Sequence, residues 1–134
     1  MNKLIIAHGL LALAGLAQAA DFSGVYTCKG QDAHEGAYTA KATLKRVPAH
    51  SAGAHVAYDF RLDVDGFGSY PGHAVAKGLN AAIYFANTDP ATQDFGTGLA
   101  QFKKNRKGQW TFTKFYYEPA YKGGSHGTEV CVRQ

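Results

Sequence analysis

Apolar and polar residues alternate along much of this chain with a period of two, the spacing of a strand that buries one face and wets the other. The clearest case runs from Val56 to Val64, where Tyr58, Phe60, Leu62 and Val64 point one way and Asp59, Arg61 and Asp63 the other. A second begins at Ala37: Tyr38, Ala40, Ala42 and Leu44 alternate with Thr39, Lys41, Thr43 and Lys45. From Ala81 to Tyr117 three strands follow in unbroken order, over 81–87, 95–103 and 109–117. The last two are joined by a turn at Asn105 to Gly108, in which Gly108 suits the positive φ that a tight hairpin needs.

Three more strands complete the set. The segment from Asp21 to Gly30 places Val25 and Thr27 on one face and Tyr26 and Cys28 on the other. Ser69 to Lys77 is a short, kinked strand, interrupted by Pro71 and Gly72. Thr128 to Arg133 is the last, after a Gly-rich loop from Glu118 to Gly127. Eight strands, no helix in the mature region and short connections predict an all-β antiparallel up-and-down meander. Such a sheet has two exposed edges unless it closes, and closure sets the first strand beside the last.

The first 19 residues stand apart. A short positive start ending at Lys3, an apolar run from Leu4 to Leu16 and Ala17-Gln18-Ala19 predict a signal peptide cleaved after Ala19, leaving a single domain over 20–134. The apolar run is shorter than the roughly 20 residues of a membrane-spanning helix, so no stable membrane insertion is expected. Export to the periplasm or beyond changes the reading of the two cysteines, which lack the close C-x-x-C spacing of a redox or metal pair. In an oxidising compartment an even count predicts a Cys28–Cys131 disulfide. A bridge needs Cα atoms within about 7 Å, so it independently makes strands one and eight neighbours and the sheet a closed barrel.

Gly24-Val25-Tyr26 in the first strand, the eight-strand meander and Arg133 in the last strand resemble the lipocalin and avidin group of barrels. In that group a G-x-W motif opens strand one and a basic residue near the end packs over the Trp; Tyr26 stands at the Trp position here. The resemblance implies the barrel fold and no activity.

The formal charge is +4, and without Lys3 the remaining 13 basic side chains stand against 10 acidic ones. Four of the positive charges, Lys103, Lys104, Arg106 and Lys107, crowd one hairpin tip, which reads as a solvated turn that guards against aggregation, or else as a landing patch for phosphate groups, lipid headgroups or an acidic protein. An exported chain with one small basic cluster is not expected to bind nucleic acid.

Enzyme signatures are missing: GFGSYPG from Gly66 has neither dinucleotide-loop nor nucleophile-elbow spacing, and no zinc-ligand pattern occurs. No catalytic residue, metal or cofactor is therefore expected. The aromatic content is more informative, since Tyr38, Tyr58, Tyr84, Trp110 and Tyr116 can be threaded on inner faces. An eight-strand interior is just wide enough to be filled by side chains or to hold one small ligand, and buried tyrosines need hydroxyl partners. Connections one, three, five and seven share one end of a meander, which gathers His34, Glu35, Phe67, Asp94, Glu118, Tyr121, Lys122 and His126.

The expected ligand-binding set is thus Tyr38, Tyr58, Tyr84, Trp110 and Tyr116 inside, with His34, Asp94, Glu118 and His126 at the mouth. The expected function is binding of a small, partly apolar molecule by a monomer or weak homo-oligomer. The alternative is a module that contacts an exported protein through its loops, as an inhibitor or immunity protein would.

Overall fold

A computed structural model describes residues 19–134. The expected signal peptide lies outside the described residues, Ala19 excepted. Eight strands follow in order: β1 Gly24–Asp32, β2 Gly36–Arg46, β3 His55–Val64, β4 Gly68–Lys77, β5 Asn80–Ala86, β6 Phe95–Lys104, β7 Trp110–Glu118 and β8 Ser125–Arg133. Every strand pairs antiparallel with its sequence neighbours, and β8 pairs with β1 to close the barrel. Cys28 and Cys131 lie directly opposite in that closing ladder and form the disulfide, with Cα atoms 4.1 Å apart. Pro71 lies within β4, where pairing to β5 begins only at Gly72, so it removes no ladder bond on that side. β8 starts three residues earlier than the pattern suggested, because Ser125 turns inward and Gly127 fits beneath Tyr116.

One end of the barrel is sealed. Phe22, just ahead of β1, folds back across it and stacks on Phe102 with ring centroids 3.9 Å apart, while Trp110 meets its edge at 4.9 Å. The Phe22 N–H donates to the Tyr58 hydroxyl, and the Tyr26 hydroxyl donates to the Phe22 carbonyl. The Arg133 guanidinium, reaching over Gly24, donates to the Ser23 carbonyl and fixes the same segment. The basic β6–β7 tip lies at this end with its four charges exposed, and Asn105 holds the turn by accepting from the Lys107 and Gln109 N–H groups. Gly108 has the positive φ of 76° that the turn requires.

Towards the other end the packing changes character. In register around the wall run Tyr38, Gly30, Glu129, Lys114 and Ala100, one inward position from each of five strands. Glycines alternate with long side chains because the interior has no room for both to be large. A Cβ on Gly30 would lie 2.1 Å from the Tyr38 ring, and one on Gly98 would lie 2.9 Å from the Lys114 stem. Lys114 and Glu129 are fully buried and face each other across the β7–β8 ladder, with Nζ 2.8 Å from a Glu129 oxygen. The middle of the barrel is therefore filled, and its filling is partly ionic.

Candidate functional site

Above the Lys114–Glu129 pair the barrel opens. A cavity of about 40 Å³ lies there, walled by Leu62, Val64, Tyr70 and Phe85 and by Asp32, Tyr38, Asp94, Tyr116, Glu118 and Glu129, with Glu35, Phe67 and Tyr121 at its less buried rim. It sits at the end formed by connections one, three, five and seven. That volume holds about three water-sized probes or the head of a small ligand.

Each polar wall group is set by a strand end or a loop tied to one. Asp32 closes β1, where its Oδ1 accepts the His34 and Glu35 N–H groups and so builds the β1–β2 turn. Its Oδ2 accepts from the Tyr116 hydroxyl at 2.8 Å, and the Ser125 hydroxyl reaches both oxygens. Burial would raise its pKa, but these four donors together hold Asp32 below the ordinary aspartate value. Glu35 accepts from the Tyr121 hydroxyl and pairs with Lys122, which fastens the β7–β8 loop to the β1–β2 loop. Those two partners, Lys122 foremost, lower its pKa.

Deeper in, Glu129 accepts from the Tyr38 hydroxyl at 2.6 Å besides pairing with Lys114. The Lys114 contact is an ion pair rather than a well-aligned hydrogen bond. The Lys114 ammonium also lies 4.9 Å from the Phe85 ring centre, 5.3 Å from Phe60 and 5.4 Å from Tyr116, each within cation–π range. Burial raises the pKa of the Tyr38, Tyr70 and Tyr116 hydroxyls well above the ordinary value, so all three stay neutral donors.

Asp94 and Glu118 are different. Both are buried, 7% exposed, yet Asp94 Oδ1 and Glu118 Oε2 accept no hydrogen bond from any described residue. Asp94 keeps one donor, the Tyr70 hydroxyl at 2.6 Å on its other oxygen. Burial, followed by the neighbouring Asp94 charge, pushes the Glu118 pKa up to about 8, so Glu118 keeps its proton near neutrality.

The sign of the resulting pH dependence follows. Glu118 binds its proton more tightly in the folded chain than at the ordinary 4.5. Its contribution therefore favours folding fully below pH 4.5 and is lost as the pH rises towards 8, by up to about 1.4 kcal/mol per pH unit. Urea denaturation between pH 5.5 and 8 is expected to show falling stability for the wild type and a much flatter profile for Glu118→Gln. Equal slopes for the two proteins would contradict the assignment.

The structure sorts the expected site residues into three groups. Tyr38, Tyr116, Asp94 and Glu118 line the cavity. Tyr58 and Trp110 are inward but lie at the sealed end around Phe22. Tyr84 is a correction: it is on the outer wall, because β5 turns Ala81, Ile83 and Phe85 inward and the next residue in each pair outward. It lines an outer groove of about 340 Å³ with Asn87, Pro90 and Gln93 instead.

The two histidines stand outside the cavity as well. His34 is an exposed loop residue whose Nε2 donates to the Gly124 carbonyl, and His126 is exposed on the outside of β8 near Phe115. Unanticipated members are Asp32, Phe85 and Glu129, with Lys114 paired to Glu129. The strand alternation carried Lys114, since it lies between Phe112 and Tyr116 on one face.

Among the described residues the one cluster of potential metal ligands is Cys28, Cys131 and Glu129. Its cysteines are spent on the disulfide and its carboxylate is engaged by Tyr38 and Lys114. No described helix is long and apolar enough to cross a membrane.

The fold and the mouth define a class: a closed eight-stranded meander barrel with one plugged end and one open, acid- and tyrosine-lined end. No known family profile and no characterised protein matches the chain.

Proposed function

We propose that this is an exported, non-enzymatic binding protein of lipocalin-like layout that holds a small, partly apolar ligand at the mouth of its barrel. The observation that carries this reading is the cavity itself. Leu62, Val64, Phe67 and Phe85 offer an apolar wall opposite buried carboxyl and phenol groups, the mixture typical of small-molecule sites. The filled middle of the barrel argues for a ligand seated at the mouth rather than enclosed. Export to the periplasm or the medium is supported by the leader-like sequence of residues 1–19 and by the disulfide. Native mass spectrometry of freshly purified protein is expected to show a bound small molecule that is lost on denaturation. A spectrum containing only the bare chain under gentle conditions, with none regained from a cell extract, would count against it.

A second reading, a protein-interaction module, is favoured by the outer wall. Val75, Ala82, Leu99, Phe115 and Thr128 lie side by side in register across five strands, and Leu99 is 70% exposed. A contiguous apolar stripe of this kind suits contact with an exported protein or a second copy of the chain.

A further inference from the structure

We propose that the mouth is a site for an organic cation, a small primary amine with a short apolar body, whose ammonium group is held by the Asp94 and Glu118 carboxyl groups. This rests on the ligand-binding reading above and adds the chemistry of the ligand.

The charge distribution excludes an anion. Five carboxyl groups line the cavity, from Asp32, Glu35, Asp94, Glu118 and Glu129. The two ammonium groups nearby are both committed, Lys114 to Glu129 and Lys122 to Glu35. Asp32 is satisfied by four donors. What remains unsatisfied once Glu118 is ionised is Asp94 Oδ1 and Glu118 Oε2, two buried oxygens of cavity-lining residues with no hydrogen-bond partner among the described residues. Acceptors in such a place call for N–H or O–H donors carrying positive charge.

The barrel already shows how it treats an alkylammonium: the Lys114 head is held by one carboxylate and three aromatic rings. The cavity next to it repeats those ingredients, with carboxyl groups and the rings of Phe67, Tyr70 and Tyr121 among its lining. Its small volume admits the ammonium head and leaves the apolar body against Leu62, Val64 and the Phe67 rim.

Binding is coupled to a proton. Before binding, Glu118 keeps the proton; with an ammonium between the carboxylates both are ionised, and one proton leaves to solvent for each amine bound. The groups that face Glu118 are Asp94, which opposes its ionisation, Asp32 from β1, which does so from further away, and Lys114 from its own strand, which favours it. Glu129 on β8 is neutralised by Lys114, and the tyrosine hydroxyls of β2, β4, β7 and the β7–β8 loop remain neutral. Amine affinity therefore rises with pH up to about 8 and levels above it, by as much as about tenfold per pH unit below that point.

The test is isothermal titration of the purified protein with phenethylamine, phenethyl alcohol and calcium ion. Each is run at pH 6.5, 7.5 and 8.5 in two buffers of different ionisation enthalpy, with the wild type and Glu118→Gln, both checked for folding by circular dichroism. The expected result is binding of the amine alone, with close to one proton released at pH 6.5 and a gain in affinity of roughly twentyfold to pH 8.5. Glu118→Gln, which mimics the protonated side chain, is expected to bind more weakly, release no proton and show no pH dependence. Equal binding of the alcohol would overturn the cation assignment while leaving a ligand site, and so would calcium binding in place of the amine. Amine binding with no proton released, or with the same release from Glu118→Gln, would overturn the coupling. Failure of every probe, together with a bare native mass spectrum, would overturn the ligand reading itself.

Discussion

Replacing Glu129 by Gln is expected to destabilise the protein by about 3–5 kcal/mol, because it leaves the Lys114 ammonium buried without its countercharge. Both side chains are essentially inaccessible to solvent, so water cannot take over the lost charge. The three rings around Lys114 offset part of the loss, which places the outcome towards the lower end of that range. The double variant Lys114→Met/Glu129→Gln is expected to recover most of the stability. It removes both charges, fills the Lys114 stem position with an unbranched apolar chain, and keeps an acceptor for the Tyr38 hydroxyl. Urea denaturation of the two single variants and the double gives the coupling directly. A double variant no more stable than the worse single one would show that the pair acts through shape rather than charge.

Loss of the disulfide is the second large effect. The bridge spans 103 residues of sequence, and the chain-entropy model gives about 4–5 kcal/mol for a loop of that size. The β1–β8 ladder would still join seven residue pairs from Tyr26 and Arg133 to Asp32 and Gly127, so the barrel is expected to close but with much less margin. Cys28→Ala/Cys131→Ala should show this in urea denaturation. Both sulfurs are fully buried, so reductant alone should act slowly on the native protein and quickly once denaturant is added. A loss below about 1 kcal/mol would mean that the ladder, not the bridge, holds the seam.

Much of the barrel was legible because its physics is local. Tyr38 to Leu44 and Tyr58 to Val64 alternate cleanly, and two distant cysteines that pair supply the long-range constraint that periodicity lacks. The site was less legible for three physical reasons. In AAIYFAN every residue but the last is apolar, so nothing in the pattern tells Tyr84 from Phe85; only the register with Gly96 and Thr97 on β6 decides which ring turns inward. Lys114 and Glu129 follow the alternation faithfully, but a charged residue at an inward position makes sense only when its partner on the neighbouring strand is known. Phe22 lies ahead of the alternating positions of β1, and nothing in the pattern shows that it crosses the barrel end and draws Tyr58 and Trp110 into a plug. The acids at the mouth were placed by counting connections, which fixes an end but not which carboxyl oxygens lack donors.

The central claim is that Glu118, buried beside Asp94 at an open cavity, keeps its proton near neutrality, and carbon-detected NMR of the Glu118 carboxyl group across pH 3 to 10 tests it most directly. The account predicts a titration midpoint near 8, well above the ordinary 4.5, and a midpoint that falls part of the way back when Asp94 is replaced by Asn, because burial remains. A Glu118 midpoint near 4.5 in the wild type, unmoved by Asp94→Asn, would contradict it.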